Sequence, residues 1–518
     1  MDDDFDIVVI GGGAGGGTLA ARCAAAGKRV LLLERGNNSA SDVSTSGGRH
    51  QHDEQNTLIA KLPYDDRSIE LNGTASRLYM GGVLGGGTAV YGGALIRPHA
   101  ADFSPGRYYG SRIPREIRDW PIDFHSFEPY LAAAERLYHV ADVPTDRAIP
   151  TSGLTSSEVT SCASGGVSAI AKFPGLPLAN INRKLMQVAA SSGLVPWRLP
   201  LAIDSSKCLR CDHCAGFVCP TGARRSSAHL VYESIARGES LTVMNNCEAE
   251  QFERGNKGRL SGVRIRDRAN AAIRLIRAKR YVLSAGAIGS AAVLLRSGFD
   301  HPLIGRNFMM HYSPLAIGLF AESTESSRTF VKQVGLADFY FGTNELPEKM
   351  GIVQSLPAPG PLMMAKSGMK LVPQWILNFL RSRMLPLVGI VEDLPNPENR
   401  VTVGQSGAIR VDHEYSDYEH LRGDALARQM AKLLKAMGAF HCVSRRIPSR
   451  EHVAHQCGTL RFGVSRNHAV ADPDCRLFDQ PDVFIADGSF MPTSLGVGPS
   501  LTIIGNAIRV AETVVAEV

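Results

Sequence analysis

A surplus of charge of one sign is nearly absent from this 518-residue chain: 56 basic and 50 acidic residues leave a net charge of +6. So small an excess, spread along the chain, argues against nucleic acid as a partner. Cysteine is sparse as well, with ten residues, four of them crowded between Cys208 and Cys219. This excludes a secreted disulfide scaffold and predicts reduced thiols. Long apolar runs are also lacking. The most hydrophobic later stretch, Leu371 to Glu392, is broken by Pro373, Arg381, Arg383 and Pro386. It therefore predicts a helix over a substrate pocket instead of a transmembrane segment, with contact to a membrane surface as the lesser alternative. No basic and then apolar leader precedes the strand pattern starting at Asp6, so a cytoplasmic location is expected. With 44% hydrophobic and 20% charged residues the composition is that of a globular protein, and the length predicts two interleaved domains.

What is abundant is glycine, and its placement is specific. A short β-branched run, Asp6 to Ile10, leads directly into Gly11-Gly12-Gly13-Ala14-Gly15-Gly16, and an alanine-rich helical stretch continues to Ala26. In a strand, turn and helix of this kind Gly11 permits the turn, Gly13 lets backbone approach a pyrophosphate, and Gly16 lets helix pack on strand. The helix start at Ala14 offers unpaired N–H groups to the phosphates. A second strand, Arg29 to Leu33, ends at Glu34, where a carboxylate accepts hydrogen bonds from a ribose diol and repels a 2′-phosphate. Dinucleotide binding follows, without a choice between FAD and NAD.

Four further segments make that choice. Gly81 to Gly93 is a dense glycine loop whose Val83, Leu84, Val90 and Tyr91 are too apolar for a linker. Leu283 to Ser290, continuing to Gly298, reads as a strand entering a helix and is followed by Ile304 to His311. Glu392 to Val401 reads as a turn. Val483 to Ser489 and Pro492 to Thr502 read as a strand, a loop and a last helix whose start can face developing negative charge on a cofactor.

Together and in this order, these segments resemble the glucose-methanol-choline (GMC) oxidoreductase family, specifically its bacterial branch with a Cys-rich segment. The resemblance covers residues 6 to 518 but hardly touches 100 to 200. It implies an α/β plus β architecture: a Rossmann-like FAD-binding domain from residues 1–100, 200–312 and 455–518, and a sheet-based substrate domain and cap from 101–199 and 313–454. It places on FAD, besides Gly11, Gly13, Ala14, Gly16 and Glu34, the following Arg35 and also Ala249. From the loop it adds Gly82, Gly86, Gly87, Thr88, Ala89, Tyr91 and Gly92. From the later segments it adds Ala285 and Gly286, then Asp487 and Gly488, then Pro499, Ser500 and Leu501. Some members attach the flavin covalently through a histidine in the loop; Val90 stands there, so FAD is expected to be non-covalent.

Removing a hydride from a carbinol carbon needs a base for the hydroxyl proton, and histidine suits neutral pH. In His452-Val453-Ala454-His455-Gln456-Cys457-Gly458-Thr459, the resemblance gives the role to His455, with hydride passing to flavin N5. His452, three residues earlier, is the local alternative, and His311 is expected to be structural. The family's second histidine or asparagine is replaced by Gly498, so another polar group must substitute; Tyr91, Asn467, His468 and a water are candidates. The expected substrate is a sugar, glycoside, polyol or sterol-like alcohol, and the acceptor is oxygen or an electron-carrier protein. Gly498 also admits a flavin-binding protein or a non-redox flavoenzyme, a lyase or isomerase.

Cys208, Cys211, Cys214 and Cys219-Pro220 have a spacing one residue longer than a ferredoxin run. An iron–sulfur cluster, a structural zinc and a metal-free loop are the competing readings, the metal-free loop being preferred.

Overall fold

The computed structural model describes residues 5–36, 54–59, 61, 63–143, 173–255, 259–446 and 454–518. His452 lies outside them. Two six-stranded sheets organise the chain. The first contains the strands Phe5–Ile10, Val30–Leu33, Leu241–Met244, Ala278–Leu283 and Gln480–Ile485, each parallel to its neighbour, with Arg476–Leu477 added antiparallel at one edge. Val30–Leu33 is buried along its whole length and Phe5–Ile10 from Asp6 onward. Continuous apolar runs of this kind suit a parallel sheet covered on both faces.

The helices Ala14–Ala25 and Ser500–Ala516 pack on each other beside this sheet. Gly15 lets the first of them settle on the end of the strand Gln480–Ile485, where a Cβ would stand 1.5 Å from the Ala486 carbonyl oxygen and 3.3 Å from Ile503 of the second helix. The helix Phe124–Leu137 joins them. Its Tyr130 hydroxyl donates to Glu512 (3.0 Å), Tyr138 just beyond its end meets Thr18 (2.8 Å), and Gly505 leaves room for Leu131. Part of residues 101–199, expected beside the substrate, thus rests on the nucleotide-side helices. The strands Arg400–Val403 and Ile409–Asp412 likewise form a four-stranded sheet with Ser68–Leu71 and Thr74–Arg77. Both departures have one cause: side-chain and strand pairing across several hundred residues decides the neighbour, and sequence spacing does not carry it.

The second sheet is antiparallel, with the order 441–445, 315–319, 384–391, 351–355, 334–336 and 197–198. Its central strand, Met384–Val391, is buried throughout and shows the two-residue alternation of a strand. Leu385, Leu387 and Val391 join the core under the helix Asp417–Ala436, whereas Val388 and Ile390 face a cavity. Gly389 lets that helix settle on the sheet, since a Cβ there would come within 2.5 Å of Leu426. The stretch from Leu371 to Glu392, expected as one covering helix, divides into the helix Gln374–Arg381 and this strand. The β-branched and glycine residues of its second half, packed between neighbouring strands, override helical continuation.

Candidate active site

A cavity of about 630 Å³ runs from the carboxyl ends of the parallel strands to the face of the antiparallel sheet turned away from the helix Asp417–Ala436. Gly11, Gly13, Ala14, Glu34 and Arg35 line one end, with Ala249 near them. Gly82, Gly86, Gly87, Thr88, Tyr91 and Gly92 form one flank; Ala285, Gly286, Asp487 and Gly488 form another. Pro499, Ser500 and His455 close the far end. Gly16, Ala89 and Leu501 are not among the lining residues. Gly16 is packed under the turn instead, where a Cβ would stand 2.0 Å from the Gly11 carbonyl oxygen, and Leu501 is fully buried in the core. Ala89 contributes its carbonyl, which accepts from Arg224 (2.5 Å).

The residues present fit an extended dinucleotide. The helix Ala14–Ala25 has no side-chain cap, and a Cβ at its N-cap, Gly13, would meet nothing within 4 Å, so its first N–H groups open into the cavity. At Gly11, by contrast, φ is +100° and a Cβ would come within 2.3 Å of the Ser284 carbonyl oxygen; only glycine serves. Glu34 accepts from the N–H groups of Gly12 (3.0 Å) and Gly36 (2.8 Å). Burial pushes its carboxyl up, while those two bonds act the other way. Its remaining lone pairs can still accept from a diol. Arg35 is held by Asp65 (2.9 Å), Asp66 (2.7 Å) and Glu248 (3.1 Å). The helix Ser500–Ala516 also starts without a side-chain cap at the cavity.

His455 has φ +63°, a left-handed conformation that a non-glycine residue keeps only when its surroundings impose it. Its Nδ1 lies 3.0 Å from Nδ1 of fully buried His311, with the rings nearly perpendicular. Nε2 of His311 lies 2.8 Å from the carbonyl oxygen of Leu495, itself at φ +68°. A carbonyl can only accept, so His311 carries its proton on Nε2 and, when neutral, presents a lone pair at Nδ1. His455 then donates from Nδ1, and its own lone pair resides on Nε2. That nitrogen lies 3.5 Å from where a Cβ on Gly498 would stand. A polar side chain at position 498 would thus touch His455, and glycine leaves that space open.

A buried ionic cluster holds the Leu495 turn. Lys349 pairs with Asp102 (2.7 Å) and with Glu392, both fully enclosed, and the other oxygen of Glu392 accepts from the Leu495 N–H (3.2 Å). Tyr109 and Tyr340 hydroxyls donate to the two carboxylates at 2.6 and 2.5 Å. Glu392, which reads from sequence as part of a turn, therefore positions the carbonyl that sets the histidine tautomers.

Of the candidates for a substitute polar group, Tyr91 donates to the Arg225 carbonyl (2.7 Å), and Asn467 and His468 are exposed and outside the cavity. The cavity instead brings Ser313, Gln354 and Lys332 to this end, between Leu315, Leu356, Val388 and Ile390. Lys332 reaches over Gly92, where a Cβ would lie 3.0 Å from its Nζ. Burial, aided by the nearby Arg224 cation and opposed by Cys214, brings its ammonium down to about 8. No carboxylate pairs with it among the described residues. Nothing in the sequence marks Lys332, a single lysine in an irregular stretch. Gln354 has a faint signal, an amide directly after the apolar Ile352 and Val353 in the fully buried strand Gly351–Ser355.

All four clustered cysteines face one small void of about 10 Å³ beside Arg224. Arg224 also bonds the carbonyls of Cys214 and Phe217, tying this loop to the flavin-loop residue Ala89. Among the described residues no group of three or more Cys, His, Asp or Glu side chains is arranged to hold a metal ion. Burial raises Cys214 to about 12, whereas His213, itself raised to about 9 against burial by Asp212 and Cys211, draws Cys211 below the ordinary thiol range despite burial.

A parallel sheet with two uncapped helix starts on one long cavity, roofed by an antiparallel sheet, is the build of a flavoprotein oxidoreductase. Comparison with known proteins agrees. Residues 172–313 and 395–507 match the two family models described as GMC oxidoreductase, and 6–54 match an FAD binding domain. The 6'''-hydroxyparomomycin C oxidase of Streptomyces lividus is 27% identical over 461 residues, covering 83% of this chain and 78% of its own. The paromamine 6'-oxidase of Streptomyces fradiae is 27% identical over 462 residues, covering 84% and 78%. Among solved structures, pyridoxine 4-oxidase from Mesorbium loti superposes with a TM-score of 0.65 at 18% identity, covering 98% of this chain and 99% of its own. The chain belongs to the GMC oxidoreductase family, and it is an FAD-dependent oxidoreductase of alcohol groups.

Proposed function

We propose that His455 is the base of this oxidation, taking the hydroxyl proton on Nε2. One observation carries the reading: the hydrogen-bond chain from the Leu495 carbonyl through His311 to His455. It leaves Nε2 as the accepting nitrogen and lets His311 share the proton on Nδ1 once His455 is charged. Bound FAD supplies the hydride acceptor. Gly11, Gly13 and Glu34 hold its nucleotide half, and the glycine loop with Asp487 and Ser500 holds the flavin half. Leu315, Leu356, Val388 and Ile390 exclude water above the reacting carbon, while Gln354, Ser313 and Lys332 hold the substrate's other polar groups.

The substrate is a sugar, glycoside, polyol or sterol-like alcohol. The named relatives support a hydroxyl on a sugar-like framework and oxygen as acceptor. Lys332 argues against a polycationic amino sugar, because a like charge in a partly dry cavity is disfavoured. A second reading, a flavoprotein without net redox chemistry such as a lyase or isomerase, draws on Gly498. Anaerobic mixing of holoprotein with a panel of alcohols separates the two. Bleaching of flavin absorbance by any of them supports oxidation; an unbleached spectrum across the panel favours the second reading.

A further inference from the structure

Residues 361–383 form an excursion between two strands of the cavity wall, Gly351–Ser355 and Met384–Val391. Its helix Gln374–Arg381 turns Leu377 inward, onto a small core with Met364 and Met384. Its other face is turned to solvent. Trp375 is 73% exposed and Phe379, one turn on, 52%; Leu371 just before the helix is 99% exposed and Met369 40%. A tryptophan, a phenylalanine and a leucine standing together in water is costly, and such a contiguous patch marks an interaction site.

The charges within the excursion itself have one sign. Lys366, Lys370, Arg381 and Arg383 flank the patch, and no Asp or Glu occurs between residues 355 and 391. Arg381 is engaged by Asp212, and Glu54 caps the helix Pro361–Met364 through the N–H groups of Leu362 and Met363. Lys366, Lys370 and Arg383 have no carboxylate partner among the described residues. Arg383 instead lies over the Phe379 ring, 3.9 Å from its centroid. An aromatic and aliphatic face ringed by unpaired cations matches the chemistry of a bilayer with anionic headgroups: apolar side chains enter the acyl boundary and the ammonium groups meet phosphate. A second protein copy presenting the same face would set these cations against one another.

We infer that residues 361–383 dock this enzyme on an anionic lipid surface.

The test uses the full-length holoprotein with vesicles of phosphatidylcholine alone and of phosphatidylcholine with phosphatidylglycerol. Trp120 and Trp197 are buried at 5% and 6% exposure, so a change in tryptophan emission reports Trp375. Expected are co-sedimentation and a blue shift with the anionic vesicles only, both reversed by high salt. Trp375→Ser with Phe379→Ser should abolish co-sedimentation, and Phe379→Ser alone, which keeps the reporter, should diminish the blue shift. Lys366→Glu with Lys370→Glu, which leaves the apolar face intact, should weaken binding at least about fivefold per lysine. Failure of the wild type to partition onto anionic vesicles overturns the inference. So does a dimer in sedimentation velocity that the Trp375 and Phe379 changes dissolve.

Discussion

Replacing His311 by leucine should slow alcohol-dependent flavin reduction by about 10- to 150-fold while FAD stays bound. His311 touches His455 through one hydrogen bond, Nδ1 to Nδ1 at 3.0 Å. When His455 takes the hydroxyl proton, that bond acquires a charged donor and stabilises the state by about 1.5–3 kcal/mol. At about 1.36 kcal/mol per decade, losing it costs the stated factor. Removing the base itself, in His455→Ala, should cost about 10²- to 10⁴-fold. The Leu495 carbonyl also loses its donor, so a stability loss of about 1–3 kcal/mol accompanies the change. Stopped-flow absorbance under anaerobic conditions measures the rate, and it should be followed across pH. Without His311 both tautomers of His455 are populated, so the acid limb of the profile should move as well as the plateau. A rate within twofold of wild type and an unmoved profile would refute the positioning role.

Other outcomes follow from neighbouring contacts. Lys349→Met leaves Asp102 and Glu392 buried without their cation and should destabilise the holoprotein by about 3–5 kcal/mol in denaturant titration; an unchanged midpoint contradicts the cluster's role. Gly15→Ala drives a methyl into the Ala486 carbonyl and should yield protein that fails to retain FAD, read from the absorbance ratio after desalting. Lys332 has its folded pKa lowered to about 8 from 10.5, so between these values the unfolded chain binds more protons and stability rises with pH. Relative to wild type, Lys332→Met should therefore gain most stability below pH 8 and lose that advantage toward pH 10.5. A pH-independent difference in melting temperature would oppose it.

The nucleotide half of the site was legible because its physics is local. Strand, glycine turn, helix and Glu34 lie within 30 residues; Gly16 answers a contact a few residues away and Gly11 one at a neighbouring strand end, while Gly13 leaves the helix start open. The family resemblance reached His455 and Gly498 in the same way, as positions within motifs. What it could not reach were relations across the fold. His311 and His455 are 144 residues apart, and the Leu495 carbonyl that orders them lies 184 residues from His311. Lys332 has no motif; its neighbour is Gly92, and only the closing of the cavity brings them together. The helix Phe124–Leu137 has a clear apolar face, yet its partner is the terminal helix, a choice made by shape at Gly505. The stretch from Leu371 to Glu392 was read as one helix because the strand pairing that divides it, with residues 315–319 and 351–355, lies outside its own sequence window.

The central claim is that this FAD enzyme oxidises an alcohol with His455 as base. Its most direct measurement is anaerobic flavin bleaching by an alcohol panel in wild type and His455→Ala, with FAD content of both proteins determined beforehand. The account predicts rapid bleaching in the wild type and a rate about 10²- to 10⁴-fold lower in the variant at equal FAD content. Equal rates in the two proteins would contradict it.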